Sequence, residues 1–109
     1  MKEISYELSY LPLFYDDLEE ILEYICNTLK NPAAANRLID DVEKSIQERL
    51  SYPESFEQYV GREVLDHPYY RIYVGNFVIF YTVLIKNDTT GIMEVRRFLY
   101  GGRNIESIM

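Results

Sequence analysis

The stretch Tyr69–Ile85, YYRIYVGNFVIFYTVLI, limits what this chain can fold into more than any other part of it. It reads as two strands joined by Gly75-Asn76, a dipeptide suited to the positive φ of a tight hairpin turn. Tyr69–Val74 forms the first strand, and Phe77–Ile85 follows as a near-continuous apolar run, the pattern of a strand covered on both faces. A two-residue loop sets the register, so Val74 faces Phe77, Tyr73 faces Val78, Ile72 faces Ile79 and Arg71 faces Phe80. The period of two then puts Arg71, Tyr73, Val78 and Phe80 on one face. Tyr70, Ile72, Val74, Phe77, Ile79 and Tyr81 fall on the other. Arg71 is therefore held among aromatic rings on a stiff scaffold. Two readings stay open for it: an anion site, or an arginine stacked on tyrosine at a sheet surface.

A chain of 109 residues suffices for one domain with a single sizeable core. Cys26 is the only cysteine and His67 the only histidine, which argues against a disulfide framework, a zinc cluster or histidine-based catalysis. No metal or cofactor is expected. No apolar run approaches the ~20 residues of a membrane helix, and Met-Lys-Glu-Ile does not begin a signal peptide. The expectation is a cytoplasmic protein with no membrane partner. A net charge of −7 disfavours nonspecific binding to nucleic acid or anionic lipid. The charge is uneven: residues 1–30 carry −5, residues 31–68 carry −4, and residues 69–109 carry +2. Arg71, Arg96, Arg97 and Arg103 all belong to that last, basic part.

Upstream of the hairpin, Ile4–Leu8 alternates weakly and reads as a first, edge strand. Leu18, Ile21, Leu22, Ile25 and Leu29 then mark one face of a helix over 13–29. Asp16, Asp17, Glu19 and Glu20 read as its solvated side, complementing the helix dipole. Cys26 lies beside the apolar stripe as a small filler. Asn31-Pro32 restarts the chain as a cap followed by proline at the first helical position. Leu38, Ile39, Val42 and Ile46 make the apolar face of a second helix, 32–50, antiparallel to the first. Residues 54–68 read as irregular, with His67 a turn residue before Pro68. After the hairpin, Lys86–Gly91 forms a polar turn and Ile92–Leu99 a last strand, with Arg96 and Arg97 on opposite faces. Asn104 caps a final turn, 105–109. The order β-α-α-β-β-β is that of an α+β fold, with a helical hairpin laid on a mainly antiparallel sheet.

Taken in order, DDLEEILEYI, NPAAANRLIDDVEKSI, SYPES, YRIYVGNFVIFYTV and VRRFLYGGRNIESIM resemble the RelE/ParE superfamily of type II toxin–antitoxin toxins, often called plasmid-stabilisation proteins. The resemblance runs over nearly the whole chain. It implies a growth-inhibiting toxin and a cognate antitoxin that neutralises it, and it leaves a homodimer open. RelE-type members cleave mRNA in the ribosomal A site, whereas ParE-type members bind DNA gyrase.

For the nuclease, the resemblance implies Arg71 and Arg103 as phosphate clamps with Arg97 and Tyr100 in support. A phenol serving as proton donor there needs a nearby cation, since its ordinary pKa is ~10. Three positions depart from the nuclease pattern: Tyr73 replaces a lysine, Val78 an arginine, and Met109 lies where a terminal tyrosine is placed. The YGGRN ending resembles the ParE-like side, and gyrase binding is the expected activity. A ribosome-dependent endoribonuclease and an inactive antitoxin-binding relic are the alternatives.

Overall fold

The computed structural model describes residues 3–56, 58–59 and 69–101. The elements are β1 (Ser5–Tyr10), α1 (Pro12–Glu23) prolonged by a π-helical turn (Tyr24–Thr28), α2 (Pro32–Leu50), β2 (Gln58–Tyr59), β3 (Tyr69–Val74), β4 (Phe77–Ile85) and β5 (Thr90–Tyr100). Across the sheet the order is β1-β5-β4-β3-β2. β1 runs parallel to β5 and every other pairing is antiparallel. This is the expected α+β architecture, with a two-residue edge strand, β2, inside the stretch read as irregular. His67 and the segment 60–68, together with Arg103, Asn104 and the final turn, lie outside the described residues.

The β3–β4 hairpin has the register that its two-residue turn demands, from Val74 opposite Phe77 to Tyr70 opposite Tyr81. Gly75 alone in that turn has a positive φ, +58°, the requirement of a II′ turn. The inner face of the sheet carries the main core, in which Tyr70, Ile72, Val74, Ile79, Tyr81, Met93, Val95 and Phe98 meet Phe14, Leu38, Val42 and Ile46 from the helices. Leu18, Ile21, Leu22 and Ile25 pack against it half-buried. Ile39, expected beside them, is also half-buried, because it sits about 100° round α2 from Leu38. On the outer face Val78, Phe80 and Leu99 form a second buried cluster, with Tyr69 packed against it.

Two local irregularities change what alternation and helical periodicity suggest. The β4–β5 register shifts between Phe80 and Tyr81, which pair with Arg97 and Val95. Arg96 is thus the extra residue of a β-bulge. The bulge lets Val95 and Phe98, three apart, both enter the inner core. It also overturns the expectation that Arg96 and Arg97 take opposite faces. Arg97 pairs with outward-facing Phe80, and the Arg96 guanidinium lies 5.5 Å from the ring centre of outward-facing Tyr69.

The second irregularity is the π turn, closed by Leu29 N–H donating to Tyr24 O at 3.0 Å and Asn31 N–H to Ile25 O at 3.0 Å. Widening the helix there rotates the following residues off the apolar stripe. Cys26 and Leu29, expected to be covered, are exposed. Lys30 then turns the corner with φ 51°, and α2 begins as expected, with Asn31 Oδ1 accepting from Ala34 N–H at 3.1 Å.

Gly91 lies opposite Tyr6 in the parallel pair. A Cβ at Gly91 would stand 2.9 Å from Tyr6 Cδ1 and Cε1. The Tyr6 ring is anchored by its hydroxyl, which donates to Glu54 Oε1 at 2.8 Å. Gly91→Ala should therefore destabilise by about 1–3 kcal/mol, read as a thermal shift of roughly 4–8 °C per kcal/mol. Burial and the bond to Glu54 push the Tyr6 phenol up from its ordinary 10.0 to about 12. A raised phenol pKa gives a contribution that is whole below pH 10.0 and lost as pH climbs towards about 12. In denaturant titrations across that window the native chain should lose stability that Tyr6→Phe does not lose.

Candidate functional site

Asp17 is only 9% exposed, although it belongs to a run of acids whose other members, Asp16, Glu19 and Glu20, face solvent. The reason lies in β5. β1 ends where Tyr10 meets Val95, so the last residues of β5 have no strand on that side. Asp17 Oδ2 accepts from Phe98 N–H at 3.0 Å and from Arg97 Nε at 2.7 Å, while Oδ1 accepts from Arg97 Nη2 at 2.9 Å. One carboxylate thus satisfies a strand-edge N–H and a guanidinium fork together. The bonds from Asp17 raise the Arg97 pKa above its ordinary value, burial opposing them. The solvated-face reading fails for Asp17. The missed signal was its place on the helix, three residues after Phe14 and four before Ile21, on the stripe that faces the sheet.

Arg71 and Arg97 occupy one row of the sheet, each opposite Phe80. The Arg71 guanidinium lies 5.8 Å from the centre of the Tyr73 ring, a cation–π contact at this surface. Tyr100 pairs with Phe77 and meets its ring edge-on at 5.9 Å, which places it with the inner-face residues. The sheet therefore separates Tyr100 from Arg71. Arg103 lies outside the described residues.

Behind Arg71 the backbone is pinned. Arg49 Nη1, in the last turn of α2, donates to Arg71 O at 3.0 Å and to Tyr81 Oη at 2.9 Å. The Tyr81 hydroxyl in turn donates to Pro53 O at 2.7 Å. The Arg49 guanidinium also lies 3.4 Å from the Phe56 ring centre. Burial raises the Tyr81 pKa, the contacts with Arg49 oppose it, and Tyr70 adds to the rise. Sequence reading had assigned no role to Arg49.

Tyr100 borders a groove of about 660 Å³ between the helical hairpin and the β3–β4 turn. Ile21, Tyr24, Ile25, Leu29, Ala34 and Phe77 give it an apolar floor and walls, and Glu20, Asn31 and Asn76 add polar groups. Tyr24 and Leu29 are each 55% exposed and Tyr100 50%, so three large apolar side chains border one groove in the open. The π turn is what presents Leu29 there. Among the described residues no group of three or more His, Cys, Asp or Glu side chains is placed to hold a metal ion. No described helix is long and apolar enough to cross a membrane.

Comparison of the whole chain with protein families gives a match over residues 8–105 to the family described as ParE toxin of type II toxin-antitoxin system, parDE. No curated protein matches at a significant level.

The Asp17–Arg97 bond makes a direct prediction. Asp17→Ala removes both bonds to the mostly buried Arg97 guanidinium and the acceptor of Phe98 N–H, and should cost about 3 kcal/mol. Arg97→Ala leaves Asp17 bonded only to Phe98 N–H, and should also lower the melting temperature. Calorimetry on both variants and the double variant should show strong non-additivity.

Proposed function

The chain belongs to the ParE toxin family of type II toxin–antitoxin systems, and from that premise we propose that it arrests growth by binding DNA gyrase in the cytoplasm, without cleaving RNA. A cognate antitoxin partner comes with family membership. The observation that supports the gyrase reading is how the described candidate groups are held: Arg97 is bonded to Asp17, and Tyr100 lies across the sheet from Arg71. Both nitrogens that Arg97 presents to Asp17 are engaged in a bidentate bond, which spends its fork on holding α1. Arg71 and Tyr100 lie on opposite faces of the sheet, a placement that does not favour joint action at one scissile phosphate. Ribonucleolytic transfer needs a base, an acid and a cation within hydrogen-bond reach of the same phosphodiester. Val78, where the nuclease pattern has an arginine, is buried beneath the outer face. A toxin that works by binding alone needs none of this chemistry.

The groove beside Tyr24, Leu29 and Tyr100 suits the antitoxin, as an amphipathic helix whose apolar side enters it. Asp16, Glu19, Glu20 and Glu23 crowd the exposed side of α1, so that helix should carry lysine or arginine on its flanks.

Two assays on the purified toxin test the target. A supercoiling gel should show gyrase blocked in the absence of ribosomes, and primer extension during in vitro translation should show mRNA without new ends. New mRNA ends with supercoiling unaffected would establish the endoribonuclease instead. For the partner, Tyr24→Asp and Leu29→Asp should each weaken binding of the antitoxin encoded beside the toxin by about tenfold or more. Unchanged binding by calorimetric titration would move the antitoxin to another surface.

A further inference from the structure

The outer face of the sheet carries tyrosine and arginine in alternation. Tyr69, Arg71 and Tyr73 follow one another along β3 at the period of two, and the bulge in β5 delivers Arg96 to the same side. Two stacked pairs result, Arg71 with Tyr73 and Arg96 with Tyr69. Tyr73 is 65% exposed, and Tyr69, Arg71 and Arg96 are half-buried. Beneath them Val78, Phe80 and Leu99 form a closed floor, so these side chains stand on a rigid base.

Three features separate this patch from an ordinary solvated sheet surface. Its residue types are those that dominate binding energy at protein interfaces. Their rings and guanidiniums are already stacked in the free protein, which cuts the rotamer entropy lost on binding. It also gathers cations in a chain whose net charge is −7. Among the described residues, acids of the same face stand towards β1: Glu94 opposite Ser9, and Glu7 within 3.7 Å of Lys86 Nζ. The bulge interrupts the ladder, and one visible return is that Arg96 reaches Tyr69 while Arg97 remains with Asp17.

We propose that the surface built from Tyr69, Arg71, Tyr73 and Arg96 is where this toxin grips its target, and that its occupant is an acidic protein surface. This rests on the reading of the chain as a toxin that acts by binding, and it goes beyond that reading by assigning the contact. Single-stranded nucleic acid is the other chemistry that stacked tyrosines and arginines serve. The charge of −7 disfavours it, because the sequence-independent part of such binding comes from net cationic neutralisation of phosphates. The docking surface for the antitoxin groove lies on the opposite side of the sheet, so damage to the two is separable.

The test uses the full chain with Tyr73→Ala, Arg71→Glu and Arg96→Glu, expressed inducibly in cells and also purified. Tyr73 is mostly exposed and the bond from Arg49 goes to the Arg71 backbone, so unchanged melting temperatures and antitoxin binding verify the fold. Growth arrest reports the surface whatever the target is. The expected result is that the toxin dose giving half-arrest rises about tenfold or more in each variant. Inhibition of supercoiling should weaken in parallel, and inhibition by the unaltered toxin should weaken as potassium chloride is raised. If well-folded variants arrest growth like the unaltered chain, the assignment is overturned. It is overturned equally if the unaltered chain binds a fluorescein-labelled single-stranded RNA, tightly at low salt, and the variants lose that binding. If the variants lose growth arrest while the unaltered toxin leaves supercoiling intact, the surface stands and the gyrase reading falls.

Discussion

A single carboxylate decides how the helices sit on this sheet. β1 stops opposite Val95, while β5 continues to Tyr100. Left to itself, the overhanging part of β5 would present an edge N–H to an apolar helix, an arrangement that costs as much as a lost hydrogen bond. Asp17 replaces the missing strand at Phe98 and neutralises its own charge on Arg97. A buried carboxylate is unfavourable alone, and here every bond it needs is supplied by two consecutive residues of one strand. The price of that arrangement is tolerance: α1 cannot slide or rotate without breaking all three bonds together. Phe14 therefore stays against Phe98, and the groove bounded by α1 and Phe77 keeps its shape.

The bulge is the counterpart of that constraint within the sheet. Val95 and Phe98 both belong in the inner core, and an unbroken strand cannot point residues three apart to one side. Inserting Arg96 resolves the conflict, and it does so beside the residue that holds Asp17. The two arginines then divide their work. Arg97 binds the helix, and Arg96 lies over Tyr69. An alternating strand would have spared the ladder but pointed one of these arginines into the core.

The contrast between what the residues announce and what they conceal follows the same division. The β3–β4 register was legible to the residue, because a two-residue turn fixes pairing by geometry alone. The capped start of α2 was legible for a similar reason: Asn31, Pro32 and Ala34 act on one another within a single turn. Asp17, Arg96 and Arg49 were not, since each answers a need created elsewhere in the chain. The buried role of Asp17 depends on where β1 ends, and that of Arg49 on the Arg71 carbonyl and on Tyr81 across the sheet. A trace of the bulge was nevertheless present in EVRRFLY, where two charged residues stand between Val95 and the apolar pair Phe98-Leu99. The exposure of Cys26 and Leu29 left less trace, because the π turn over Tyr24–Thr28 breaks the 3.6-residue period on which the apolar stripe is read.

If the antitoxin takes the groove and the target takes the outer face, as proposed above, the two meet at the hairpin tip. Asn76 and Phe77 line the groove, and their immediate neighbours in the sheet, Tyr73 and Val78, belong to the outer face. In a β-strand, adjacent residues point to opposite faces, so the two surfaces are separated by the thickness of a strand pair and share one rim. A partner seated against Tyr100 and Phe77 needs only to reach the Gly75-Asn76 turn to crowd a second partner at Tyr73, without itself gripping that tyrosine. Gly75 offers no side chain to obstruct that path, and the space where its Cβ would stand is open. Gly101 N–H donates to Asn76 O at 2.8 Å, tying the end of β5 to the same turn. On that placement, crowding at the tip would link neutralisation to target binding without any change in the fold.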